Sequence, residues 1–93
     1  MSNSKVVHCI VSGLVQGVFY RASTKDMADS LNLTGWVRNI PDGKVELQAF
    51  GNPDNIQKLV DWLWKGPSAA KVSNVEVNYI DIQEEFRDFS IKY

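Results

Sequence analysis

Apolar and polar residues alternate from Val6 to Gly13, with Val7, Cys9 and Val11 on one face and Val6, His8, Ile10 and Ser12 on the other, which predicts an opening strand. The period then changes. Thr24, Met27, Ala28 and Leu31 recur at helical spacing while Lys25, Asp26 and Asp29 take the opposite side, so a helix is expected from about Arg21 to Leu31. Thr34 to Ile40 reads as a second strand, and Pro41-Asp42-Gly43 as a turn whose glycine allows a positive φ. The third strand, Lys44 to Phe50, sets Val45, Leu47 and Ala49 against Lys44, Glu46, Gln48 and Phe50, and forms a hairpin with the second. Gly51-Asn52-Pro53 then opens a second helix, with Asn52 as its cap and proline at the first helical position. Its apolar stripe is Ile56, Leu59, Val60 and Leu63, and Gly66-Pro67 ends it. Val72 to Ile82 reads as a long strand and Phe86 to Tyr93 as the last one, with Phe89, Ile91 and Tyr93 on one face; an acidic turn, Asp81 to Glu85, separates them.

The order strand, helix, strand, strand, helix, strand, with a further strand at the end, corresponds to two split β-α-β units. The expected fold is therefore an α+β sandwich of ferredoxin-like type, with a mostly antiparallel sheet, both helices on one face and an extra C-terminal strand. Right-handed crossovers would set the first and third strands side by side at the centre. That topology brings Asn39, at the end of the second strand, within reach of the loop after the first.

Ninety-three residues are too few for two independent cores, so residues 1–93 are read as one domain. With 44% hydrophobic and 23% charged residues the chain should fold without a metal or partner. A formal net charge of −1 carries no electrostatic footprint for nucleic acid or an anionic membrane, so any anion site must be local. Cys9 is the single cysteine, which excludes an internal disulfide and a Cys-x-x-Cys site. The first residues lead straight into the strand pattern, with no signal-peptide core and no long apolar span; a cytoplasmic protein is expected.

The chemistry concentrates in Gly13-Leu14-Val15-Gln16-Gly17-Val18-Phe19-Tyr20-Arg21, between the first strand and the first helix. Glycines let successive N–H groups turn inward as an anion-binding concavity, and the helix directs its positive end at the same spot. Arg21, in the first helical turn, can grip two phosphate oxygens with its planar fork of donors. On these residues alone, such a loop is more often an ordinary turn, Arg21 a solvated charge and Asn39 a turn residue. Before Asp42, no histidine, cysteine or carboxylate lies in this segment or in Gly35 to Asn39, so neither a nucleophile nor a general acid is evident. A site of that kind suits a leaving group that departs unaided, such as a carboxylate, whose conjugate acid has a pKa of about 4. Amide donors and one arginine suffice to position and stabilise a transferring phosphoryl group. His8 and Cys9 read as structural, Trp62 and Trp64 as straddling the second helix's stripe in a packing role with at least one partly exposed, and Glu84 and Glu85 as a solvated turn.

The loop, together with Gly35-Trp36-Val37-Arg38-Asn39 and Asp42-Gly43-Lys44-Val45-Glu46, resembles the two signature segments of the acylphosphatase family, in order and in spacing. Gly66-Pro67-Ser68-Ala69-Ala70-Lys71-Val72 and Phe89-Ser90-Ile91-Lys92-Tyr93 extend the resemblance over nearly the whole chain. The resemblance implies a ferredoxin-like fold and hydrolysis of acyl phosphates to a carboxylate and inorganic phosphate, with no cofactor and no metal. It implies that the backbone N–H groups of Val15, Gln16, Gly17, Val18, Phe19 and Tyr20, with the guanidinium of Arg21, hold the phosphate, and that Asn39 holds the attacking water. Leu14 stands where the family often has a basic residue, and Tyr20 where it often has phenylalanine. Beside this enzyme stands one alternative, a non-catalytic module of the same fold that binds phosphate or a small ligand. Neither the composition nor any RNP-like segment supports an RNA-binding module. A monomer acting on a small molecule, with no nucleic acid or membrane partner, is the expectation.

Overall fold

The computed structural model describes residues 4–80 and 86–92. It contains β1 (Lys5–Leu14), α1 (Tyr20–Ser30), β2 (Thr34–Ile40), a 3₁₀ turn (Pro41–Gly43), β3 (Lys44–Gly51), α2 (Pro53–Lys65), β4 (Lys71–Ile80) and β5 (Phe89–Lys92). The strands form one sheet in the order β4-β1-β3-β2-β5. All neighbours are antiparallel except β2 and β5, which run parallel. β1 and β3 are adjacent inside the sheet, paired from Lys5 with Gly51 to Val11 with Val45, as the crossover argument requires.

Strand alternation decides which side chains meet the helices. Val7, Cys9 and Val11 of β1, Val45, Leu47 and Ala49 of β3, Val37 of β2 and Phe89 of β5 are buried. They pack in one cluster with Ala28 of α1 and with Ile56, Leu59, Val60 and Leu63 of α2. These four α2 residues are the stripe expected from the sequence, and their burial against the sheet holds the helix in place at roughly 1.5–3 kcal/mol per large aliphatic side chain. The buried Cys9 thiol is pushed up to about 12 by loss of solvent, so it behaves as a small hydrophobe. On the other face of the sheet His8 contacts Glu46 at 2.7 Å, and Arg38 Nε donates to the same carboxylate at 2.6 Å.

Several details differ from the sequence reading. β1 runs one residue past its expected end at Gly13: Gly13 and Leu14 pair with Val72 and Lys71 after a register shift between Ser12 and Gly13, so Leu14 belongs to the strand and not to the loop. Gly13 has φ 121, and a Cβ there would run into the Lys71 carbonyl oxygen, so its glycine serves a β-bulge against β4. In the hairpin turn Asp42 takes a positive φ of 73 as well as Gly43 at 76, a conformation aspartate tolerates better than most residues. α1 starts at Tyr20 and ends at Ser30, one residue earlier at each end than its periodicity indicates. The last strand begins at Phe89 and not at Phe86, where parallel pairing with β2 starts at Gly35. The acidic turn Asp81 to Glu85 and the facing of Tyr93 lie outside the described residues.

Candidate active site

The segment between β1 and α1 is fastened from beneath by buried Val15 and by Val18, which packs against the core. Above that footing the backbone zigzags. Gly17 and Phe19 take positive φ, 75 and 63, whereas Gln16, Val18 and Tyr20 do not. Alternation of this kind points successive N–H groups toward one concave side, the geometry that binds anions. For Phe19 the left-handed conformation costs roughly 1–2 kcal/mol. The strain sits where the concavity needs a second turn of the backbone.

The helix that follows adds its own donors. Ser23 N–H makes the first helical bond, to the Phe19 carbonyl at 3.0 Å, so the N–H groups of Tyr20, Arg21 and Ala22 come before it. Phe19 stands at the cap position, where no side chain accepts a hydrogen bond from this end, and the first turn holds no acidic residue. Tyr20 is held rigidly beneath. Its hydroxyl donates to the Leu63 carbonyl at 2.6 Å, its ring meets Trp62 at a centroid distance of 5.7 Å, and Gly66 leaves room for it where a Cβ would press on the ring. The hydroxyl that distinguishes Tyr20 from phenylalanine thus binds the end of α2, and burial raises its pKa well above the ordinary tyrosine value.

Gln16 contributes through its side chain. Its Nε2 donates to the carbonyls of Ile40 and Lys44, at 3.0 and 2.8 Å, on either side of the β2–β3 turn. The loop is thereby strapped to the hairpin that carries Asn39. Asn39 has its Oδ1 buried with no hydrogen-bond partner among the described residues. Leaving such an acceptor unsatisfied costs about 1–3 kcal/mol, which a bound water would recover.

These parts meet at a cleft of about 270 Å³, lined by Val15, Gly17, Phe19, Tyr20, Arg21, Ala22, Asn39 and Ile91. It falls just below the usual span of ligand pockets, roughly 300–1,000 Å³. Of the residues singled out from the sequence, Val15, Gly17, Phe19, Tyr20, Arg21 and Asn39 line it; Gln16 and Val18 instead brace the loop. Ala22 and Ile91 were not foreseen as lining residues. Ala22 lies one position beyond the expected phosphate loop, and Ile91 reaches the cleft only because β5 pairs with β2. Leu14, 53% exposed, is not among the lining residues. Among the described residues no cluster of three or more His, Cys, Asp or Glu side chains could hold a metal ion. None of their helices is long and apolar enough to cross a membrane.

The acylphosphatase family model matches residues 7–91. An acylphosphatase of Pelotomaculum thermopropionicum is 49% identical over 86 residues, covering 92% of this chain and 94% of that protein. The structure of an acylphosphatase from Coxiella burnetii superposes with a TM-score of 0.93 at 48% identity, covering 97% of this chain and 94% of that one. A crystal structure of acylphosphatase from Bacillus subtilis gives the same TM-score at 36% identity, covering 96% and 99%.

Proposed function

Because the chain belongs to the acylphosphatase family and is a hydrolase of acyl phosphates, we propose that its cleft binds the phosphate between the loop N–H groups of residues 15–20 and the guanidinium of Arg21, and that Asn39 orients the water. The convergence of Arg21 and Asn39 on one cleft, from elements eighteen residues apart in sequence, carries this reading. The loop and the helix end present N–H donors to the spread-out charge of the transferring phosphoryl group, and Arg21 adds a fixed positive charge. The loop is braced before substrate arrives by the Gln16 strap and by Val15 and Val18 on the core, so its N–H groups need little reorganisation during reaction.

The attacking water donates one hydrogen bond to Asn39 Oδ1, which leaves a lone pair free for the phosphorus. The P–O bond to the acyl oxygen breaks as the new P–O bond forms, and the carboxylate leaves with the bonding pair. Its conjugate acid has a pKa of about 4, so it needs no proton from the enzyme. The proton lost by the water passes to a phosphate oxygen. In this scheme the protein supplies the charge compensation that a metal would otherwise bring, and activity persists in EDTA. The chain acts as a single domain and a monomer in the cytoplasm, on a small molecule and not on nucleic acid or a membrane.

The two roles separate experimentally. Hydrolysis of benzoyl phosphate, followed by ultraviolet absorbance, falls by about 1,000-fold or more in Arg21→Gln, as for a phosphoryl-clamping arginine. The same variant loses competitive inhibition by inorganic phosphate. Asn39→Ala loses about 100-fold in turnover, comparable to removal of one positioned polar group, yet keeps that inhibition. Equal loss of phosphate binding in both variants refutes the division of labour.

A further inference from the structure

The polar lining of the cleft is fully assigned once phosphate and water are seated, and what is left for the acyl part is apolar. Phe19, Ala22 and Ile91 line the cleft without a side-chain donor or acceptor. Ile91 is partly buried against the core, whereas Phe19 is 82% exposed. A single exposed apolar residue is ordinary on a protein surface. This one, however, is bulky, takes a left-handed φ of 63 that glycine or asparagine would adopt more easily, and stands at the rim of the cleft. The concavity requires the backbone conformation of Phe19 but makes no demand for a ring.

We propose that the Phe19 ring, with Ile91 and Ala22, is the acyl-recognition surface, and that it favours acyl phosphates with an apolar, ring-sized acyl group over those with a small one. This rests on the reading of the cleft as the phosphate site. With the phosphate fixed in the loop, the acyl group projects through the mouth, and the Phe19 ring is the large apolar surface available there. Contact with an aromatic or branched acyl group removes apolar area of both partners from water, whereas an acetyl group is too short to cover the ring.

The experiment compares kcat/KM for benzoyl phosphate and acetyl phosphate in the wild type, Phe19→Gly and Phe19→Tyr, with inorganic phosphate as a competitive inhibitor. Glycine accepts the positive φ, so the loop conformation survives loss of the ring. The benzoyl-to-acetyl ratio is expected to fall about 5-fold in Phe19→Gly, through KM for benzoyl phosphate, and to return in Phe19→Tyr. A proportional loss on both substrates, or a matching loss of inhibition by inorganic phosphate, would show that residue 19 acts through loop shape and overturns the proposal. A ratio that does not move overturns it too, while leaving the phosphate site intact. Wild-type turnover without any competition from inorganic phosphate removes the reading of the cleft, and the acyl surface with it.

Discussion

The two helices begin in opposite ways. α2 completes its own N-terminus: Asn52 accepts the Asp54 N–H at 2.8 Å, Pro53 takes the position that needs no donor, and the Asp54 carboxylate sits in the positive first turn. α1 has none of these devices. Its cap position holds Phe19 in a left-handed conformation, and its first turn carries the cation Arg21. A positive side chain at the positive end of a helix opposes the macrodipole, which makes this end poor for stability and well suited to an anion. One terminus is satisfied by its own side chains; the other has no side-chain cap.

Supplying α1 with a built-in anion is the sharpest way to break that contrast. In Phe19→Asp the new carboxylate competes for the same donors and repels phosphate, so kcat/KM for benzoyl phosphate should drop about 100-fold, with a parallel loss of inhibition by inorganic phosphate. Its thermal midpoint should hold, because aspartate tolerates positive φ better than phenylalanine and its charge favours the positive end of the helix. Retention of phosphate inhibition within threefold would mean that the end of α1 is not the anion site.

The reciprocal change at α2 touches only stability. Asn52→Ala is expected to cost about 1 kcal/mol, the usual worth of a cap, and to lower the melting midpoint by about 4–8 °C. Its kcat/KM per folded molecule should equal the wild type. Saturating inorganic phosphate should raise the midpoints of wild type and Asn52→Ala alike, since binding to the folded state alone stabilises it. An activity loss at a temperature where Asn52→Ala is fully folded would show the two ends to be coupled.

The smallest expected effect lies away from both termini, on the sheet face opposite the helices. Partial burial pushes the Glu46 carboxyl up, but the hydrogen bonds from His8 and Arg38 outweigh it and hold the group below the ordinary carboxylate range. A carboxyl whose folded pKa is depressed contributes stability above its unfolded pKa and loses it as pH falls through the lower folded value. Glu46→Gln should therefore destabilise at neutral pH by about 1 kcal/mol or less. Urea melts of variant and wild type should converge as pH falls below the ordinary carboxylate range. A gap that persists undiminished in acid would assign the loss to packing.

Most of the architecture was legible because it is written in short-range periods. The alternation of Val45, Leu47 and Ala49 identified a half-buried strand, and the spacing of Ile56, Leu59, Val60 and Leu63 a helix packed on it. The Asn52-Pro53 start of α2 is a matter of adjacent residues, and it was read correctly. The extension of β1 to Leu14 escapes the local pattern because its partner, Lys71 on a neighbouring strand, lies far along the chain. The start of the last strand was placed three residues early for a similar reason. Apolar content marks a strand, but its first ladder partner, Gly35, decides where pairing begins.

The sequence by itself determined the element order, the core faces and the identity of the chemical groups, since side-chain period and torsional preference act over a few residues. Tertiary structure alone decided their meeting. The strap from Gln16 to Ile40 and Lys44, the arrival of Asn39 and Ile91 beside Arg21, and the left-handed turn at Phe19 depend on contacts between separate elements. No local pattern encodes such contacts. They exist once the sheet has brought β2 and β5 to the side of the loop and packing has fixed them there.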